Sequence, residues 1–600
     1  MRLRNSTARS ARARCGAAIL AATALTLSAC SAGGGTGGGG AGGGGADGAK
    51  AAVETVTLGT AADSVGPATP VAGARRGGTA YDLEADGINH LDPAQAYINQ
   101  EQIIGQLFSR QLTNYRIDPK TGRTTLVGDL ATDTGESSDG GRTWTYHLKT
   151  GLTWQDGTPI TSAQVKYGFE RLYAGFETAG PQYVQTWLSG QDFRKAYQGP
   201  YSGRSLPDSL IATPDSRTIV FHFLAPHPDT PYAMALSGSG PVLPAKDTRA
   251  KYDSAPFSDG PYEIADYQPG KQLLLRRNPH WDPRTDPVRD AYPDEWDVEL
   301  GIAQPGLTER LMQQAGHDKD ALALVAPADP TQTPLIATGA QYASRLVSQY
   351  QPFVDVFDIN TSRVKDERVR QALMYAFPMR QVQTALGGAP QGDLATDLIG
   401  PTVAGFQAAD PFGKLAEPNG DPARAKELLK QAGVTHLKLT YAYADQPRWQ
   451  TVARTLQSAF AKAGIELQTT AIDSTSYYTL VAKVDNPYDL YRTGWGADWP
   501  SASTVIPPTM DGRLIADGDT DYAHLDDPRV NAAIDRIEKI TDLSQQAVQW
   551  QQLAQYILKN DTPVIPYEYD KYFNVHGDGL GGVTYNSPLG AINPNTVYVK

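Results

Sequence analysis

Apolar and polar positions change their period along this chain. Thr143-Trp144-Thr145-Tyr146-His147-Leu148 alternates as a strand with one buried face does, behind the turn-forming Asp139-Gly140-Gly141. Thr218-Ile219-Val220-Phe221-His222-Phe223 is a second strand, rich in β-branched and aromatic residues. Between them, residues 161–173 switch to helical spacing, with Val165, Phe169 and Leu172 on one face and Thr161 or Ser162 as cap. Beyond Pro352 helices and strands alternate. Residues 366–377 predict a helix (Val369, Leu373, Ala376) that Pro378 ends. Asp421 as N-cap, Pro422 in the first turn and Gly433 just past the end frame a helix over 421–432. Residues 437–443 predict a strand, 448–463 a helix (Trp449, Val452, Leu456, Phe460) closed by Gly464, and 465–472 another strand. Strand, helix, strand at this spacing is a βαβ unit and implies parallel sheet. Residues 352–568 therefore read as an α/β lobe. The last thirty residues return to turns and short β segments like the first part, as in a chain that crosses to a second lobe and comes back.

The first residues follow other rules. Arg2, Arg4, Arg9, Arg12 and Arg14 precede an apolar run over 17–27, which ends in Leu27-Ser28-Ala29-Cys30. A basic stretch, a short apolar core and small residues before a cleavage point make residues 1–29 a secretory signal peptide. A core this short does not span about 30 Å of hydrocarbon. Leu-Ser-Ala-Cys resembles the bacterial lipobox, so Cys30 is expected to be lipidated and to anchor the chain on the outer face of the cell membrane. Residues 30–76, dominated by glycine, alanine and serine, are expected to form a flexible tether. Cys15 is in the removed segment, so the mature chain holds no disulfide and relies on its core. The net charge is −12, and the five arginines of residues 1–29 are the only charges there, which leaves −17 for the rest. An acidic chain without a basic patch gives no reason to expect a nucleic-acid partner.

No catalytic pattern stands out. There is no His-Glu-x-x-His, phosphate-cradling Gly-x-x-x-x-Gly-Lys-Ser/Thr or Gly-x-Ser-x-Gly elbow. Asp517-Gly518-Asp519-Thr520-Asp521 starts like a calcium loop, but Tyr522 stands where that loop needs glycine and Pro528 where it needs glutamate. No metal, cofactor or catalytic residue is expected.

Four segments together resemble the bacterial extracellular solute-binding proteins of family 5, the peptide- and nickel-binding group of ABC importers. They are residues 138–171, with Trp154-Gln155-Asp156-Gly157-Thr158-Pro159; Asp259-Gly260-Pro261-Tyr262 with Leu275-Arg276-Arg277-Asn278-Pro279; Phe357-Asp358-Ile359-Asn360 leading to Val369-Arg370-Gln371-Ala372-Leu373; and Gly494-Trp495-Gly496-Ala497-Asp498-Trp499. The resemblance implies an α/β, two-lobe periplasmic-binding-protein-like fold of type II that closes on a hinge. Residues 77–351 plus 569–600 would form an enlarged first lobe with an inserted subdomain near 108–235, and residues 352–568 the second lobe.

The same resemblance implies a substrate-binding subunit, not an enzyme, delivering a small ligand, above all an oligopeptide, to ABC permease and ATPase subunits. A monomer is expected. A non-peptide solute (sugar, amine, siderophore or metal complex) on the same fold and a secreted hydrolase are the alternatives. In the peptide-binding branch the aspartate of Gly-Trp-x-Ala-Asp pairs with the α-ammonium, which carries that role to Asp498; Trp495, Gly496 and Trp499 surround it. Three positions depart from the family: Trp499-Pro500-Ser501 follows Asp498 in place of Tyr-x-x-Pro, Ala376-Phe377-Pro378-Met379-Arg380 replaces Ala-Ile-Asp-Arg, and residues 107–112 lack Phe-Glu-Gly-Leu.

Overall fold

The computed structural model describes residues 56–600. The expected signal peptide, Cys30 and the glycine-rich run that follows it lie outside the described residues. None of the described helices is long and apolar enough to cross a membrane.

One lobe is built on a six-stranded sheet, in the order Gly392–Leu394, Val564–Val575, Leu346–Ile359, Leu490–Gly496, Leu437–Ala444, Ile465–Ile472. The last two strands are parallel and in register from Leu437↔Ile465, joined by the helix Pro447–Lys462, as the βαβ reading requires. Gly433 and Gly464, at φ +72° and +82°, end their helices in the left-handed region where glycine carries no Cβ penalty. Asp366 and Asp421 cap their helices through side-chain oxygens on the backbone N–H of Arg368 and Arg424. The helices Glu367–Ala376, Pro422–Gln431 and Pro447–Lys462 cover one face of the sheet around Phe357 and Tyr441. Pro528–Ile537 and Leu543–Asn560 cover the other, around Trp550 and Ile534.

The second body of β structure centres on a five-stranded sheet: Ala321–Leu322, Thr79–Leu83, Glu295–Glu299, Gln272–Arg277, Tyr262–Gln268. Its core takes in C-terminal residues such as Tyr585, Leu589 and Ile592 together with Ile103 and Trp296. A four-stranded sheet (Glu136–Ser138, Thr143–His147, Thr218–His222, Ile211–Asp215) packs with the helix Ser162–Arg171 into a separate core around Phe169 and Phe221. Thr161 and Gln164 cap that helix reciprocally as a capping box.

The tether expectation overreaches at its C-terminal end. Thr57–Leu58 pairs in parallel with Thr125 and Leu126, Asp63 pairs with Arg116 at 3.1 Å, and Ser64 and Ala68 are buried. Composition alone marked these residues as unable to fold; a ready-made strand edge at 124–128 supplies the partner that the segment itself lacks.

A buried ion cluster joins these parts. Arg289 pairs with Asp129 at 2.8 Å and Asp286 at 3.1 Å, Arg110 pairs with Asp129 at 2.7 Å, and all four side chains are essentially inaccessible. Burial alone would raise the Asp129 carboxyl; Arg110, Arg289 and Lys149 override it and hold the group well below the usual range. Arg289 Nε also donates to the Gln106 carbonyl at 2.7 Å, which fixes the end of the helix Asn99–Gly105. Removing one member leaves uncompensated buried charge. Arg289→Met is expected to destabilise the fold by about 3–5 kcal/mol, read as a lower urea midpoint with the slope unchanged.

Candidate functional site

Between the lobes lies a cleft of about 850 Å³ whose walls come from both sides: Tyr97, Tyr183, Trp187 and His227 on one, and Trp495, Ser503 and Asp519 on the other. The strand Leu490–Gly496 delivers the second wall. It pairs antiparallel with Leu346–Ile359 along its whole length, but its other neighbour covers only Leu490 and Tyr491. Among the described residues, 493–496 thus have a strand partner on one side only.

Asp498 follows this strand and is partly buried. Its backbone N–H donates to Thr504 Oγ1 at 3.2 Å. Its Oδ2 accepts hydrogen bonds from the Tyr97 hydroxyl at 3.0 Å and from the Tyr183 hydroxyl, both across the cleft. No cationic side chain pairs with it among the described residues. Burial pushes the carboxyl up to about 6, while the two tyrosine hydroxyls act in the opposite direction without cancelling the effect. Tyr97 is held in turn by Glu101, whose Oε2 accepts its backbone N–H at 3.1 Å.

The other residues expected around Asp498 divide. Trp495 lines the cleft, and its indole N–H donates to the Thr504 carbonyl at 2.6 Å. Trp499 reaches across the cleft: it is 1 % exposed, packs in the core around Phe169, and donates its indole N–H to Asp229 Oδ2 at 3.0 Å. Ser503 donates to the same oxygen at 2.7 Å. The lobes therefore exchange carboxylates, Asp498 toward two tyrosines and Asp229 toward a tryptophan and a serine. Gly496 is brought close but does not line the cleft; a Cβ there would meet the Phe353 ring at 2.6 Å, so packing within the sheet demands glycine.

Sequence reasoning missed the whole opposing wall. Tyr97, Tyr183 and Asp229 come from three separate segments without periodic signal, and only folding brings them to Asp498 and Trp499. His227 stacks on Trp187 with ring centroids 4.2 Å apart. Burial holds it down to about 3, so it stays neutral and serves as a flat wall.

The sign of the Asp498 shift makes a stability prediction. The folded carboxyl keeps its proton up to about pH 6, whereas the ordinary value is 3.8, so ligand-free stability falls as pH rises between the two. Asp498→Asn is expected to make the ligand-free protein more stable at pH 7, on the order of 1–2 kcal/mol after allowing for partial exposure. Equal or lower stability in thermal unfolding at pH 7, with the difference unchanged at pH 4, would contradict this account of the carboxyl.

Known proteins share this architecture. The family model described as bacterial extracellular solute-binding proteins, family 5 Middle, matches residues 125–513. The chain is 26 % identical over 421 residues to the probable D,D-dipeptide-binding periplasmic protein DdpA of Escherichia coli (strain K12), covering 68 % of this chain and 73 % of the relative. It is 23 % identical over 487 residues to the periplasmic oligopeptide-binding protein OppA of Salmonella typhimurium, covering 76 % and 82 %. Among solved structures, the clavulanic acid biosynthesis oligopeptide binding protein 2 superposes with a TM-score of 0.81 at 30 % identity, over 91 % of this chain and 99 % of that one. With the family model matched over residues 125–513 and the fold shared over almost the whole of a solved relative, the chain belongs to the bacterial extracellular solute-binding proteins, family 5.

Proposed function

We propose that this protein is the substrate-binding subunit of an ABC importer and captures an oligopeptide outside the membrane. The carrying observation is Asp498, a carboxylate between the lobes with two hydroxyl donors and no cation among the described residues. Such a group is unfavourable alone and becomes favourable when an ammonium meets it in a water-poor cleft. Two further features fit a peptide. The half-free edge at residues 493–496 offers backbone groups to an extended chain, which can add there as a strand. Tyr97, Tyr183, Trp187 and Trp495 supply broad surfaces that hold side chains without demanding one shape. Relatives named for binding dipeptides and oligopeptides support the same reading.

The finer picture is part of the proposal: a signal peptide over 1–29, a lipid on Cys30, a monomer at the outer face of the cell membrane, and delivery to permease and ATPase subunits. The pair of long strands between the lobes would be the hinge on which closure occurs.

The test is thermal unfolding of the purified chain, stripped of ligand, with pooled peptides of about two to eight residues. At a hundred times its dissociation constant a ligand stabilises by about 2.7 kcal/mol, a shift of a few degrees for a chain this long. The expected result is a shift that Asp498→Asn abolishes. No shift with any pool would overturn the peptide reading and direct attention to a non-peptide solute. Ammonium pairing needs the carboxylate, so affinity is also expected to weaken as pH falls through about 6, approaching about tenfold per unit; calorimetric titration between pH 4.5 and 7.5 reads this directly.

A further inference from the structure

Three carboxylates converge on the long strands Leu346–Ile359 and Val564–Val575, on the paired side of Leu490–Gly496. Oxygens of Asp355, Glu568 and Asp570 lie within 4.8 Å of one another. Asp355 and Glu568 are register partners on the two long strands, and Asp570 follows two residues on, so the pleat turns all three to one side. Asp355 is committed: Arg492 forms an ion pair with its Oδ2, and the Tyr567 hydroxyl donates to the same atom at 2.8 Å. Glu568 is not. It is 5 % exposed, and its Oε2 is buried without a hydrogen-bond partner among the described residues. Asp570 is partly exposed and has no ion pair among the described residues. Burial first, and then the neighbouring carboxylates, push both Glu568 and Asp570 well up; Arg492 acts against this for both, joined at Asp570 by Arg448.

The other nearby cations are engaged elsewhere. Arg448 bonds Gln446 at 3.1 Å and lies over the Trp449 ring at 5.4 Å, and Lys571 pairs with Asp393 at 2.7 Å. A buried acceptor left without a donor costs free energy that a ligand can recover. Gly494 stands between the niche and the free edge of its strand. Asp355 is the register partner of Gly494, and a Cβ at 494 would run into its carboxylate. Asp498 stands four residues farther on, roughly 13 Å at about 3.3 Å per extended residue.

We propose that the niche of Asp355, Glu568 and Asp570 is a specificity pocket for a cationic side chain, an ammonium or guanidinium, of the bound peptide. The proposal rests on the peptide reading above and names its substrate class: peptides bearing a basic residue a few positions from the α-ammonium. A single organic cation fits better than a divalent metal. A metal such as calcium takes six to eight oxygens, more than these three side chains supply with Asp355 already bonded to Arg492.

The experiment uses the full chain and calorimetric titration. The probes are pentaalanine, five variants with one lysine moved through each position, and their acetyl-lysine counterparts. At one or two positions lysine is expected to bind about tenfold tighter than acetyl-lysine. Glu568→Gln, and separately the more exposed Asp570→Asn, should reduce that preference to about twofold or less while leaving pentaalanine affinity unchanged. The absence of any charge preference in the wild type overturns the pocket; if Asp498→Asn still abolishes pentaalanine binding, the peptide reading stands. If no probe binds at all, both fail. Calcium chloride in place of peptide is the third arm: a thermal shift in the wild type that Glu568→Gln removes would assign the niche to a metal and overturn the proposal.

Discussion

The pairing of two long antiparallel strands, Leu346–Ile359 with Val564–Val575, is the constraint on which the rest of this molecule depends. The ladder is broken between Tyr350 and Val354, at Gln351-Pro352-Phe353, where proline has no N–H to donate. On one side of the break the strands run alongside the core that holds Tyr572 and Tyr585; on the other they form the centre of the six-stranded sheet. Because a strand's side chains alternate, a slip of one residue would turn Asp355 and Phe357 to the wrong face and displace the strand that leads to Asp498. The cleft, the carboxylate niche and the packing of the helices all inherit their geometry from this register.

Within that frame the lobes meet through polar groups that are individually costly. Asp229 is buried and its carboxyl is pushed up, burial outweighing the donors Ser503 and Trp499. Asp498 is its counterpart from the other lobe, with hydroxyls instead of a cation. Contrast the cluster of Arg110, Arg289 and Asp129, where burial is matched by full charge pairing and the carboxyl is held down. The difference separates scaffold from site. A compensated buried charge fixes parts of the fold together, and an uncompensated one is favourable only when something arrives to meet it.

Trp499 shows how a departure from the family pattern is accommodated. The residue after the aspartate is a large indole that leaves its own lobe and completes the apolar core on the other side, bonded to Asp229. It is a contact between lobes before it is a surface for ligand. Trp495, one residue past Gly494 and paired with Val354, keeps its face on the cleft while its N–H is tied to Thr504.

Local chemistry alone determined much of this protein. Helix caps at Thr161, Asp366 and Asp421, glycine stops at 433 and 464, and alternation at 143–147 and 218–222 are short-range effects, and each element formed where its pattern placed it. The βαβ unit followed from the same signals, because helix and strand periods are legible over ten residues. The central strands were not legible: Pro352 interrupts one, and Glu568, Asp570 and Asn574 break the apolar run of the other. Residues 57–76 gave no sign of order, since their partner strand lies more than fifty residues away. Of the site, the motif around Asp498 could be read and the tyrosines that meet it could not. Tyr97 and Tyr183 are each hundreds of residues from Asp498, and so is Asp355 from Glu568; contacts of that separation carry no local pattern and are decided only when the tertiary fold closes around them.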